Sequence, residues 1–477
     1  MNFVRDVVEA AAAERLALVE VGREGERREW TFGEVADRSA RLAGALGQRG
    51  VRRGDVVGTV IGNRADWVLA MLACFRLGAV VLPCNQQLRS KDLRRRLGGG
   101  KASLVIADER SLGELHEAAL RCEVITVPDA RLFEAPPAPA AELAPDDPCL
   151  IIFTSGTAGE AKGALHAQRY LTGQQLQARH WLGARPGDLV WCTAASGWSK
   201  SARNVFVAPW LCGAAALLHD ARFDPDERLE ILAREQVTVL CMAPTEYRVI
   251  AKRSEPRPLA QLRELVSAGE ALDPEVLRAW EAATGLGIRD GYGQTETGHL
   301  TGNPPGEPPR PGSMGRALPG VDLRVDDGEL VLDPATAPTF FLRYLDGEPP
   351  PGSWRTGDRA EADEDGFLYF QGRSDDLIIS AGYRIGPFEV ESALVAHPAV
   401  AEAAAVPAPD EERGAVVRAV VVLAPGYLAG DDLVRDLQEH VKRETAPYKY
   451  PRVVDFASEL PKTASGKVQR ARLRDGR

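Results

Sequence analysis

The segment IIFTSGTAGEAKG (151–163) holds the densest set of groups able to bind an anion. Thr154, Ser155 and Thr157 bring hydroxyls, Gly156, Gly159 and Gly163 let the backbone approach closely, and Lys162 brings a cation. An apolar run enters this loop, so its N–H groups and hydroxyls can converge on phosphate oxygens. A solvent-exposed strand-to-helix turn is the alternative for the same composition. A Walker A loop is disfavoured, because Ala161 precedes Lys162 and Gly163 follows it, where that loop needs Gly-Lys-Ser/Thr. DGYGQTETG (290–298) sets one carboxylate, Glu296, in a Gly/Thr turn suited to a magnesium ion or to capping a helix. Lys467 stands in an SGK turn near the C-terminus, where an isolated lysine is ordinarily a solvated surface charge.

These groups need a scaffold, and the chain is long enough to supply one. Its 477 residues suggest about two to four domains or subdomains with large apolar cores. With 44% hydrophobic and 26% charged residues it is an ordinary globular chain, so disorder is excluded as its dominant state. The net charge of −10 argues against nucleic acid as a partner. No apolar run approaches the roughly 20 residues of a membrane span. Asp6, Glu9, Glu14 and Glu20 break up the first thirty residues, against both a signal peptide and an acid-poor transit peptide. The seven cysteines are odd in number, widely spaced and without a CxxC pair, against a disulfide framework or zinc knuckle; a reducing cytoplasm is expected.

Helical and strand-like patterns alternate along the first three hundred residues. TFGEVADRSARLAGALGQRG (31–50) reads as an amphipathic helix with Thr31 as N-cap and Glu34 completing a capping box. A strand is expected at Val56–Ile61, a helix at 64–77 and a strand at 79–82, with further strands at 188–193, 237–242 and 264–267. Residues 134–148 read as a Pro/Ala linker. Short strands follow from about 320. In the last hundred residues a helix is expected from Ile385 to Val395, strands at 400–406 and 416–423, and a helix at 431–444. Such alternation predicts an α/β fold.

TSGTAGEAKG resembles the phosphate loop of the acyl-adenylate-forming superfamily, and four more segments match that family in order: DGYGQTETG (290–298), SWRTGDRAEADEDGFLYFQGRSDDLI (353–378), SAGYRIGPFEVE (380–391) and LPKTASGKVQR (460–470). The resemblance spans about 31 to 474 and is strongest to medium-chain acyl-CoA synthetases, through APYKYPR (446–452) and SGWSKSARNVFVAPWLCGAA (196–215). It implies a large N-terminal domain (1–374) of αβ-sandwich subdomains plus a β-barrel-like subdomain, and a small mobile α+β C-terminal domain (375–477) behind a hinge at Asp375. It implies activation of a carboxylic acid with ATP and Mg²⁺ to an acyl-AMP, then transfer to CoA. ATP would be held by Thr154, Ser155, Gly156, Thr157, Ala158, Gly159 and Lys162, by Gly269 and Glu270, by Asp290, Gly291, Tyr292, Gly293, Gln294 and Thr295, by Asp358 at the ribose, by Arg373 at the ribose or a phosphate, and by Lys467. Glu296 would hold the metal, and Lys467, Thr295 and Glu296 would be catalytic. Gln87, Ala381, Gly382, Tyr383, Arg384, Arg413 and Lys442 would meet CoA. Ala158 and Ala161 depart from the Ser and Pro usual in the phosphate loop, which implies tuned ATP affinity with activity retained.

The acid is less legible. SGWSKSARNVF holds no Asp or Glu to pair with a substrate ammonium, against an α-amino acid. Trp198 suggests an apolar wall and a small, branched, medium-chain or aromatic acid. Lys200 either faces the pocket mouth or snorkels outward, and nothing in the sequence supports a second carboxylate on the substrate. The basic run LRSKDLRRR (88–96) beside Gln87 either attracts CoA phosphates or is a solvated helix face. Two competing readings are an acyl-AMP ligase loading a carrier protein and a non-catalytic nucleotide-binding protein; oligomeric state is not legible.

Overall fold

Thr31 caps a helix, as its spacing from Glu34 predicts. The Glu34 amide donates to Thr31 Oγ1 at 3.2 Å, the Thr31 amide donates to the Glu34 carboxylate at 2.9 Å, and the helix runs Phe32–Gln48. The computed structural model describes residues 1–154, 161–269, 272, 274–374, 376–381, 383–462 and 468–474, and for Arg384 the backbone. Strands at Val56–Val60, Val80–Pro83, Leu189–Cys192, Val239–Met242 and Glu264–Ala268 and the helix Ala65–Leu77 fall where the apolar runs place them.

Two seven-stranded sheets form the body of the large N-terminal region. In the first, Val80–Pro83, Val56–Val60, Leu104–Asp108 and Glu123–Val127 are parallel neighbours, and Pro148–Phe153 joins them and turns back antiparallel into Gly163–Ala167. In the second, Ile288–Gly291, Glu264–Ala268, Val239–Met242, Leu189–Cys192, Ala215–His219 and the N-terminal strand Leu16–Val21 run parallel, and Arg27–Thr31 completes it antiparallel to Leu16–Val21. One apolar core joins both sheets through residues such as Trp67, Phe75, Tyr170, Trp181 and Phe206, all at most 1% exposed.

The Pro/Ala stretch is fastened to the body. Ala138 N donates to Ala40 O at 2.9 Å, Ala141 N to Arg76 O at 2.8 Å and Leu143 N to Met1 O at 3.1 Å. Prolines lack one donor each, but the alanines between them keep theirs and find partners. An antiparallel sheet of Leu323–Asp326, Glu329–Leu332, Trp354–Ala362 and Leu368–Arg373 follows.

The last hundred residues form an α+β unit. Val400–Asp410 and Gly414–Leu423 pair antiparallel, Val453–Phe456 adds in parallel, and Pro387–Val395 and Asp431–Glu444 are helical. Ile385, expected to open a helix, instead ends the short strand Tyr383–Ile385. Gly386 is extended, and Pro387, with its φ already helical, is the first residue that can start the helix.

Candidate active site

The carboxyl ends of the parallel strands in the second sheet open on one edge, the usual position for a ligand crevice in an α/β sheet. Among the described ATP residues, Gly269 and Asp290 to Thr295 end its strands or leave the sheet there. Asp290 and Gly291 end Ile288–Gly291, and a two-stranded hairpin of Gly293–Gln294 and Gly298–His299 follows. Thr295 and Glu296 sit in its turn, where Gln294 N donates to Thr297 Oγ1 at 3.0 Å. The segment is therefore a hairpin turn and not the helix cap of the alternative reading, and it carries the Glu296 carboxylate on a short, braced loop.

Tyr344, which sequence reasoning missed, links two of the expected residues. Its hydroxyl donates to Glu296 Oε1 at 2.7 Å, and the Lys162 ammonium lies 5.2 Å from the centroid of its ring. Carboxylate, aromatic ring and cation thus converge although 48 residues separate Tyr344 from Glu296. Thr154 closes the start of the phosphate loop, its N donating to Lys162 O at 2.9 Å and its Oγ1 accepting from Lys162 N at 3.2 Å. Ser155, Gly156, Thr157, Ala158 and Gly159 lie outside the described residues, as do Glu270, Asp375, Gly382 and Lys467.

Asp358 is buried and anchors a second cluster. Its Oδ2 accepts from Tyr292 Oη at 2.5 Å and Gln294 Nε2 at 2.7 Å, while Arg373 lies 3.4 Å from Oδ1. The Asp358–Arg373 pairing is built by sheet register, since the two face each other across Trp354–Ala362 and Leu368–Arg373. Burial, then the Asp358 charge, raise the Tyr292 phenol, so it remains a donor. Trp354 Nε1 holds Gln294 from behind, donating to its Oε1 at 3.1 Å.

Lys200 points inward. Its ammonium donates to the Ala268 carbonyl and would lie 3.6 Å from a Cβ on Gly269, whose φ of +103° requires glycine. The Asp290 carboxyl faces the same space; burial lifts it to about 8, opposed by the Gly291 amide and the Lys200 charge. Trp198 stands apart from this floor, half-buried and 6.0 Å from the Arg96 guanidinium, which is 5.4 Å from the Phe153 ring. The basic run is not a uniform solvated face: Arg96 is 8% exposed, Arg94 donates to the Ala118 and Glu117 carbonyls, and Arg89 pairs with Glu114 at 2.7 Å.

The expected CoA residues fall in two places. Gln87 is exposed, its N held by Asn85 Oδ1 at 2.8 Å. On the small unit, Ala381 N donates to Arg413 O at 3.0 Å, and Tyr383 stacks on Tyr448 with centroids 4.4 Å apart. Lys442 lies 4.3 Å from the ring centroid of Tyr450, whose other neighbour is Arg452. Tyr448, Tyr450 and Arg452 all come from APYKYPR and were legible only as a motif. Among the described residues Gln87 makes no hydrogen bond to this cluster.

Residues 5–338 match the profile of the AMP-binding enzyme family and residues 389–467 that of the AMP-binding enzyme C-terminal domain. The chain belongs to the AMP-binding enzyme family. The human mitochondrial acyl-coenzyme A synthetase ACSM4 is 38% identical, over 96% of this chain and 86% of its own. An anthranilate CoA ligase, AuaEII, solved with anthranoyl-AMP, has a TM-score of 0.88 at 30% identity and covers 100% of this chain and 97% of its own. A benzoate CoA ligase from Burkholderia xenovorans LB400 has a TM-score of 0.89 at 29% identity over 99% of this chain and 100% of its own. The fold of this AMP-binding enzyme is therefore that of acyl-adenylate-forming ligases.

Magnesium suits the residues present. Among the described residues no cluster of three or more carboxylate, His or Cys groups could cage a metal. A single braced carboxylate, Glu296, fits an ion that takes one protein ligand and draws the rest from phosphate and water.

Proposed function

We propose that the residues gathered around Glu296, Asp358 and Lys200 divide the work of an acyl-CoA synthetase acting on a small, medium-chain, branched or aromatic acid. The enzyme is an ATP-dependent, AMP-forming acid–CoA ligase: an acid and ATP give acyl-AMP and pyrophosphate, and CoA takes the acyl group. The observation that carries the division of labour is the Lys162–Tyr344–Glu296 convergence beside the Asp358 cluster, which joins phosphate-side and ribose-side groups through the one hairpin that carries Gln294 and Glu296.

A carboxylate attacking the α-phosphorus brings two anions together, so catalysis requires donors and cations where charge builds. Lys162 and Thr154, with Ser155–Gly159, hold the phosphates; Asp358 and Arg373 hold the ribose; Asp290–Gln294 and Gly269–Glu270 enclose the adenine side. Glu296, kept in one rotamer by Tyr344, would hold Mg²⁺, which neutralises phosphate charge when bound. Lys467 bridges the substrate carboxylate and α-phosphate, and Thr295 donates to the same phosphate. CoA then enters past Gln87, Trp198 and Arg96, with Ala381–Arg384, Arg413 and Lys442 brought up by rotation of residues 375–477 about Asp375. We place the enzyme in the cytoplasm; its seven cysteines are all free and five are buried, which supports a reducing compartment.

The test is a mass-resolved screen with ATP, Mg²⁺, CoA and C2–C12, branched and benzoic acids. Acyl-CoA from one cluster of acids, with pyrophosphate release lost in Lys467→Ala, is the expected result. Acyl-AMP without acyl-CoA would replace free CoA by a carrier protein as acceptor.

A further inference from the structure

Five arginines among the described residues are less than 9% exposed. Arg76 pairs with Glu9 at 2.5 Å, Arg228 with Glu246 at 3.0 Å and Arg289 with Glu264 at 2.7 Å. Arg96 lies against the Phe153 and Trp198 rings. Arg203, 5% exposed, has no carboxylate partner among the described residues. One guanidinium nitrogen donates to Ser199 Oγ at 2.6 Å, and its buried Nε has no acceptor. A desolvated guanidinium without a counter-charge is strongly unfavourable unless something else supplies that charge.

Arg203 follows Lys200 by three positions on the helix Ser199–Asn204, so both side chains share a face. Both bear on His299, which is 3% exposed and stacks on Trp181 with centroids 3.8 Å apart. Burial, then Arg203 and Lys200, hold that imidazole far below its ordinary pKa, so it stays neutral and adds no anion. Neither nitrogen of its ring makes a well-formed hydrogen bond, and Trp181 Nε1, Gln177 Oε1 and both nitrogens of His166 also lack partners. Gln177 reaches this group by donating to Asn204 Oδ1 at 2.9 Å. Buried polar atoms are almost always satisfied in folded proteins, so a concentration of unsatisfied ones beside two cations marks the seat of a polar ligand. Asp290, the carboxyl on the Lys200 side, is held protonated at neutral pH by burial and leaves the charge unbalanced among the described residues.

We propose that Arg203, with Lys200 and His299 beside it, holds a second carboxylate in the acyl pocket, so that this enzyme activates dicarboxylic acids at one end. The inference rests on the acyl-CoA synthetase reading and names its substrate class. One carboxylate of the diacid attacks the α-phosphorus as the bond to pyrophosphate breaks. The other takes no part in bond-making and is gripped by the planar guanidinium, whose fork matches a carboxylate.

Matched acids test this: hexanoate against hexanedioate, and benzoate against benzene-1,3-dicarboxylate. Each is assayed for kcat/KM of acyl-CoA formation and, without nucleotide, for binding by calorimetry. Wild type is expected to favour the diacid by about tenfold or more in one pair. Arg203→Met should bring that ratio to about one or below, while Arg203→Lys, which keeps the charge but loses the fork, keeps only part of it. A wild-type preference for the monoacid in both pairs overturns the proposal, as does a ratio that Arg203→Met leaves where it was. Should no acid yield acyl-CoA, the synthetase reading fails separately. The calorimetry then decides: diacid binding lost in Arg203→Met supports the pocket, and equal binding of both acids overturns it.

Discussion

At the residue scale, the site works by placing groups where water cannot moderate them. Asp290 shows the consequence most directly. Its carboxyl is raised to about 8 in the fold against 3.8 in the open chain, burial being the leading cause and the Lys200 charge a weaker opposing one. The folded state therefore binds more protons than the unfolded state between about pH 4 and 8, and this residue's contribution to stability is lost as pH rises through that window. Asn at this position keeps an oxygen for the Gly291 amide, which now donates to Asp290 Oδ1 at 2.8 Å, and carries no charge. The melting temperature of Asp290→Asn relative to wild type should rise from pH 5 to 8 and level off above; a difference that ignores pH would refute the assignment. Tyr344 makes the complementary point: its role is visible only once Glu296 and Lys162 stand on either side of it.

At the element scale, register does what side-chain identity alone cannot. Trp354–Ala362 and Leu368–Arg373 set Asp358 opposite Arg373, and the strand ending at Gly291 delivers Tyr292 and Gln294 to the same carboxylate. Asp358→Ala removes the acceptor from both donors. A hydrogen bond to a charged group is worth about 1.5–3 kcal/mol, so the KM for ATP should rise about 10- to 100-fold while the KM for the acid changes little. Steady-state kinetics with each substrate varied in turn checks this. An equal rise in both would mean that the cluster supports the fold as a whole and not the ribose side in particular.

At the scale of the whole molecule, the proposed nucleotide groups lie on the large region except Lys467, and the proposed CoA groups are split between that region and the small α+β unit. Adenylation and thioester formation require different groups at one carbonyl, and the proposed pivot at Asp375 would answer that need. Asp376, the next residue, is clasped by Arg474 at 3.0 Å and Arg470 at 3.6 Å, which ties the C-terminal helix to the start of the small unit. A proline at the pivot removes its freedom in φ. Asp375→Pro should therefore still release pyrophosphate in the first half-reaction but form acyl-CoA at least about 100-fold more slowly, seen by single-turnover mass analysis. Loss of both half-reactions together would move the pivot elsewhere.

Periodicity and capping chemistry are local, so the sequence by itself determined the helix Phe32–Gln48, the parallel-sheet strands and the helix Asp431–Glu444 closely. Motif spacing likewise marked Lys162, Glu296, Asp358 and Lys467. Ile385 was misjudged because the helix start depends on one proline, and residues 134–148 because their packing depends on carbonyls far along the chain. Only the tertiary structure decided that Lys200 turns inward, that Tyr344 joins Lys162 to Glu296, and that Arg203 is buried without a carboxylate among the described residues. The physical reason is common to all three: a side chain's partner and desolvation are set by elements distant in sequence, and a local pattern carries no record of them.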